Sequence, residues 1–194
     1  MTQRVADPQI LPLIHQRWSP RSFDASPVGS DDLRVMFEAA GWAPSAFNLQ
    51  PWTFLYAVRG DANWERFLSI LIPFNASWVK EAGALVFLLS RTTQGSGDEA
   101  KPSHSHSFDA GAAWAMLALQ ALHMGYHTHA MVGIDFDAAR RELAVPEDHR
   151  IEAAIAIGRK GEADALPEAL RARELPSGRK PVSEIAFAGS FSAG

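Results

Sequence analysis

FDAGAAWAMLALQALHM, residues 108–124, is apolar on every side of a helical projection and stops before Gly125. A helix without a polar face has to be covered all round, by its own chain or by a second subunit. On its N-terminal side, residues 94–107 (QGSGDEAKPSHSHS) combine glycine, serine and charge and read as a mobile loop. Residues 84–89 before that loop form an unbroken apolar run between polar neighbours, the pattern of a buried central strand. On the C-terminal side, residues 131–134 read as a short strand, 137–143 as a short helix and 151–157 as another buried strand.

Further from this centre the alternation continues. Asp7-Pro8 predicts a helix start, with Ile10, Leu13, Ile14 and Trp18 at helical spacing and an end near residues 17–19, before Pro20. Ser30 reads as the N-cap of a second helix with Leu33, Met36, Phe37 and Ala40 on its buried face. Residues 43–51 read as an ordered loop, 53–58 as a strand, and 61–72 as a third helix carrying Trp64, Phe67, Leu68 and Leu71. Strands alternating with helices make the class α/β or α+β, with helices on both faces of a sheet. No repeat or linker divides residues 1–194, which are expected to form one domain.

Composition narrows the function. The chain has 18 basic and 22 acidic residues, a net charge of -4, so nothing neutralises a phosphate backbone and a nucleic-acid partner is disfavoured. It has no cysteine, which excludes disulfides, thiol nucleophiles and thiolate metal sites. The apolar part of the N-terminal stretch is short and broken by Pro8 and Pro12, unlike a signal peptide, and no run suffices for a membrane span. A soluble, cytoplasmic protein is the expectation. His104, His106, His123, His127 and His129 lack a compact carboxylate set, and no metal site is expected. No G-x-G-x-x-G fingerprint and no G-x-S-x-G elbow occurs.

Two segments carry chemistry. Arg17-Trp18-Ser19-Pro20-Arg21 places two forked cations and a hydroxyl within five residues, the makings of an anion site or of a solvated basic corner. Ala43-Pro44-Ser45-Ala46-Phe47-Asn48-Leu49-Gln50-Pro51-Trp52 is stiffened by prolines and offers the amides of Asn48 and Gln50. Such amides suit a heterocycle edge that both donates and accepts, or they satisfy their own turn.

The order and spacing of these segments, R-x-S-x-R followed by P-S-x-x-N-x-Q-P-W, resemble the FMN-dependent nitroreductase family. Further similarities run through residues 73–78, 109–113, 131–135, 155–158 and 179–185. The resemblance implies an α+β fold, a three-layer α/β/α sandwich around a central mixed sheet, in an interlocked homodimer with shared sites. It implies FMN as cofactor, with Arg17, Ser19 and Arg179 on its phosphate and Arg21 near flavin N1 and O2, where reduction places negative charge. Pro44, Ser45 and Asn48, with Gln50 beside them, would reach the flavin from the partner subunit. Asn75 would touch the pyrimidine edge, and the backbone N–H groups of Val132 and Gly133 would face N5 and O4. The implied reaction passes electrons from NAD(P)H to a nitroaromatic, a quinone or a similar conjugated acceptor by a ping-pong mechanism, with no side chain singled out as catalytic. A flavin-binding or flavin-delivery protein without turnover is the alternative. The chain departs from the family pattern at Ala46, where many relatives carry a second serine, at Ser177, where a second basic residue is common, and at Val132.

Overall fold

The computed structural model describes residues 6–191; the ends of the two terminal segments read above, residues 1–5 and 192–194, lie outside them. Its elements follow in chain order: α1 (Pro12–Gln16), α2 (Ser30–Gly41), β1 (Trp52–Val58), α3 (Trp64–Ser69), α4 (Pro73–Val79) and β2 (Ala84–Arg91). A two-residue ribbon of β3 (Thr93–Gln94) and β4 (Lys101–Pro102) precedes α5 (His106–His123), β5 (His127–Met131), α6 (Phe136–Glu142), β6 (His149–Gly158) and α7 (Glu168–Arg171).

The main sheet has the order β1-β2-β6-β5, and its side chains sort strictly by alternation. On β2, Ala84, Val86 and Leu88 face α2 and α5, where Leu33, Met36, Ala113 and Leu117 complete one core. Leu85, Phe87 and Leu89 face the other way, against Trp64 and Phe67 of α3 and Trp78 and Val79 of α4. β6 divides likewise, with Ile155 and Ile157 on the first face and Ala154 and Ala156 on the second. The three-layer α+β sandwich is therefore as expected. The mixed sheet is corrected: all three pairings are antiparallel. The physical reason lies in the long return through α5, which brings β5 parallel to β2 but two positions away, with β6 running between them.

Several boundaries move. The first helix starts at Pro12, not Pro8, because the Asp7 carboxylate takes the Gln9 N–H and closes only a local turn. Ser30 is the first residue of α2, with Gly29 as its cap. The expected helix over 61–72 is only α3, and Pro73 starts the separate α4. The strand expected at 131–134 lies upstream as β5, leaving Val132 and Gly133 just beyond its end. Residues 94–107 are less loop-like than expected: they contribute to the β3–β4 ribbon, and α5 begins at His106. Finally, α5 is covered on one face only. Ala110, Ala113, Leu117 and Ala121 are fully buried, whereas Phe108 is 82% exposed and Met116 40% exposed.

Two contacts set the stage for the site. The chain at 22–24 runs beside the end of β6, through the Phe23–Lys160 bridge and the Asp24 N–H on the Arg159 carbonyl. That path leaves residues 17–21 alongside the edge strand β5, where His129 Nδ1 lies 2.9 Å from the Pro20 carbonyl.

Candidate cofactor site

α1 ends at Gln16 and Arg17 turns extended, so the residues after it leave the helix with their side chains spread. Arg17, Ser19, Arg21 and Arg179 line one cavity of about 210 Å³, together with His129 and Arg173. Arg17 Nη1 donates to Ser19 Oγ at 3.3 Å, which aligns the two donors expected on an anion. Among the described residues, Arg179 donates only to the carbonyls of its own turn, Ser177 and Gly178. Burial holds the Arg21 guanidinium below the usual arginine value, Arg173 repels it further down, and Glu174 partly opposes both. His129 is pushed below the ordinary histidine value chiefly by burial, with Arg21 adding to the shift and the Pro20 carbonyl and Glu174 countering it. Since a carbonyl can only accept, His129 Nδ1 carries a hydrogen there. A cavity with this excess of donors and positive charge fits a phosphate group.

β5 leads from this cavity to a second group. Val132 and Gly133 follow its last residue, about 10–13 Å along the edge from His129 at strand rise. The Gly133 carbonyl accepts from Ile72 N–H at 3.2 Å and from Asn75 Nδ2 at 3.1 Å, which ties α4 to this corner. Among the described residues, the N–H groups of Val132 and Gly133 donate to no backbone carbonyl. Glycine at 133 leaves room for its neighbours, because a Cβ there would lie 2.3 Å from Asn75 Nδ2 and 2.8 Å from Ile72 Cδ1 unless those side chains shifted. The structure thus brings Asn75, Val132 and Gly133 together, with Asn75 buried and Val132 exposed.

Pro44, Ser45, Asn48 and Gln50 form a third group that does not line the arginine cavity of the same chain. Their loop is closed locally: Ser45 Oγ accepts the Gln50 N–H at 3.0 Å, and Gln50 Nε2 reaches the Asn48 carbonyl at 3.3 Å. Buried Asp109 of α5 anchors it through the Ala46 N–H. Phe47, Asn48 and Gln50 all adopt left-handed backbone, an arrangement costly enough to need such anchors. Asn48 and Gln50 are both exposed.

Two features escaped the sequence reading. Arg173, which the sequence did not single out, is in the cavity, and its neighbour Glu174 is buried. The second is a polar cluster at the start of α5. Ser90 Oγ contacts His106 Nδ1 at 2.7 Å and Glu152 Oε1 at 2.5 Å, while Ser107 Oγ donates to the same carboxylate at 2.6 Å. With the Ser90 proton given to Glu152, His106 Nδ1 is the donor to Ser90. A β-bulge opposite Leu88 and Leu89 frees Glu152 from the ladder and lets it take this position.

Comparison with known proteins gives these positions a frame. A family model for the nitroreductase family matches residues 14–159, a span holding every site residue considered above except Arg173, Glu174 and Arg179. A solved structure described as an oxidoreductase containing FMN is 43% identical, covers 100% of both chains and superposes with a TM-score of 0.95. The CLA biosynthesis enone reductase of Lactiplantibacillus plantarum is 36% identical over 81 residues, 41% of this chain and 37% of that protein. Protein DrgA of Synechocystis is 26% identical over 89% of this chain and 92% of its own. Among the described residues no helix is long and apolar enough to cross a membrane.

Proposed function

This chain belongs to the nitroreductase family, and from that premise we propose that it is an FMN-dependent oxidoreductase. It draws electrons from NAD(P)H and passes them to a small conjugated acceptor, such as a nitroaromatic or a quinone, by a ping-pong mechanism. The observation that carries the reading is the cavity where Arg17, Ser19, Arg21 and Arg179 converge, joined along β5 to the Val132–Gly133 corner. The 43% identity over the full length of an oxidoreductase containing FMN supports the choice of cofactor.

When bound, FMN would supply the hydride-transfer chemistry between the nicotinamide and the acceptor. The residues bind, orient and tune. Arg17, Ser19 and Arg179 would hold the phosphate by charge-assisted hydrogen bonds. Arg21, held below its usual value by burial and by Arg173, would favour negative charge on the part of the ring near it. Val132 and Gly133 offer N–H groups to the polar edge of the ring, and Asn75 fixes their corner by holding the Gly133 carbonyl. Pro44, Ser45, Asn48 and Gln50 complete the site of a partner subunit.

That last assignment makes the protein a homodimer with shared sites. The exposed apolar stripe of α5, from Phe108 to Met116, and the loop anchored on Asp109 beside it are the surface a second copy covers. Residues 1–194 act as one domain, and a cytoplasmic setting suits an enzyme fed by reduced nicotinamide. The test is steady-state kinetics of the purified chain with FMN, NADPH or NADH, and a quinone. Parallel double-reciprocal lines are expected. Flavin that is bound but not turned over by either nicotinamide would leave the non-catalytic binding protein as the better reading.

A further inference from the structure

The segment after α7 departs from what its charge suggests. Arg173, Leu175, Ser177 and Arg179 line the arginine cavity at every second position, while Glu174 points the other way and is 7% exposed. Arg173 and Glu174 lie in the turn that follows α7, their N–H groups donating to the Leu170 and Arg171 carbonyls, and the chain runs on without regular structure to Arg179. What fixes this placement is visible. Glu174 Oε1 accepts the N–H groups of Arg21 at 2.8 Å and Ser22 at 2.9 Å, and Oε2 accepts Arg21 N–H again at 3.0 Å. A buried carboxylate is costly unless its oxygens are engaged, and here two backbone donors engage both.

Arg173 is left over on the cavity side. Among the described residues its guanidinium makes no hydrogen bond or ion pair, and it lines the cavity together with the like-charged Arg21, which it repels. The same holds for the Arg21 guanidinium, and Arg179 bonds only its own turn. Among the described residues, Glu174 is the carboxylate that acts on Arg21, and its oxygens are taken by the backbone. Like charges placed this close disfavour one another, and an anion shared between them would relieve that repulsion. Ser177, on the same line of the segment, brings no charge, so Arg173 is the second cation contributed from this end of the chain.

We infer that Arg173 is a further ligand of the phosphate monoester this cavity takes, and that Glu174 is the positioning residue that turns Arg173 and Arg179 toward it. The inference rests on the flavin reading given above and extends it to residues outside the span matched by the family model.

The test is titration of FMN and of riboflavin, which lacks the phosphate, into the full chain freed of flavin, followed by flavin fluorescence. Arg173→Gln should weaken FMN about tenfold to a hundredfold, the range for one lost charge-assisted contact, and leave riboflavin unchanged. Arg173 is exposed, so this substitution does not threaten the fold. Glu174→Ala should also lower FMN affinity relative to riboflavin, and the double variant should lose less than the two single losses combined. Equal FMN affinity in Arg173→Gln and the parent chain would overturn the inference while leaving flavin binding intact. So would a changed preference for NADPH over NADH at unaltered FMN affinity, which would assign Arg173 to the nicotinamide phosphate. Additive losses, or equal loss of both flavins in Glu174→Ala, would overturn the positioning role. A parent chain that takes up neither flavin would overturn the flavin reading itself.

Discussion

Gly133→Ala is the sharpest probe of the corner that joins α4 to the end of β5. The new Cβ would stand 2.3 Å from Asn75 Nδ2, more than 1 Å inside an ordinary contact of about 3.5 Å, and 2.8 Å from Ile72 Cδ1. Ile72 is partly exposed and can yield, but Asn75 is buried and held by its bond to the Gly133 carbonyl. Losing that bond costs about 1 kcal/mol, and repacking a filled site costs about 1–3 kcal/mol more. The sum, about 2–4 kcal/mol, corresponds to a fall in melting temperature of roughly 5–15 °C for a chain of this size. The assay is thermal unfolding followed by circular dichroism, without added flavin, for the parent, Gly133→Ala, Asn75→Ala and the double variant. Because Asn75→Ala removes the obstructing amide, Gly133→Ala should cost clearly less in that background. A Gly133→Ala chain that melts within about 2 °C of the parent, or a cost unchanged by Asn75→Ala, would refute the close approach as the reason for glycine.

Three further outcomes are expected. Arg17→Ala should weaken FMN binding by about 1.5–3 kcal/mol through lost charge-assisted contacts, measured by flavin fluorescence, with riboflavin little affected. Burial lowers both His127 and His129, so unfolding raises their affinity for protons; stability should be full above the unfolded value near 6.5 and decline as pH falls below it. Melting curves between pH 5 and 7 check this, and a His129→Asn chain should show a shallower slope. Phe108→Asp together with Met116→Asp should separate the proposed homodimer, seen as a halved mass in light scattering after gel filtration; an unchanged mass would move the interface elsewhere.

How much was legible in the sequence followed from how local each feature is. The strands β2 and β6 are apolar runs buried on both faces, and the α2 face repeats at helical spacing, so both stood out. β5 did not, because HTHAM lies on a sheet edge with histidines at alternate positions and lacks an apolar run. α4 was hidden by Pro73, which reads as a breaker but here opens a helix. Residues 108–124 looked apolar all round, and the structure divides them: one side packs against the sheet, and the other leaves Phe108 and Met116 exposed.

Within the site, the R-x-S-x-R cluster was readable because its donors are neighbours in sequence. Arg173 was obscured by the charged stretch that precedes it. The signal that marks it is the alternation Arg173, Leu175, Ser177, Arg179, which means something only once Glu174 is seen bonding Arg21 and Ser22, more than 150 positions away. The Ser90, His106 and Glu152 cluster is likewise tertiary, assembled across 16 and 62 positions by a bulge that no local pattern announces.

The most direct test of the central claim is the visible absorption spectrum of the purified protein, supplied with FMN where it carries none, before and after NADPH is added without oxygen. A bound flavin spectrum that bleaches on adding NADPH is the expected result. A colourless protein that refuses FMN would contradict the account.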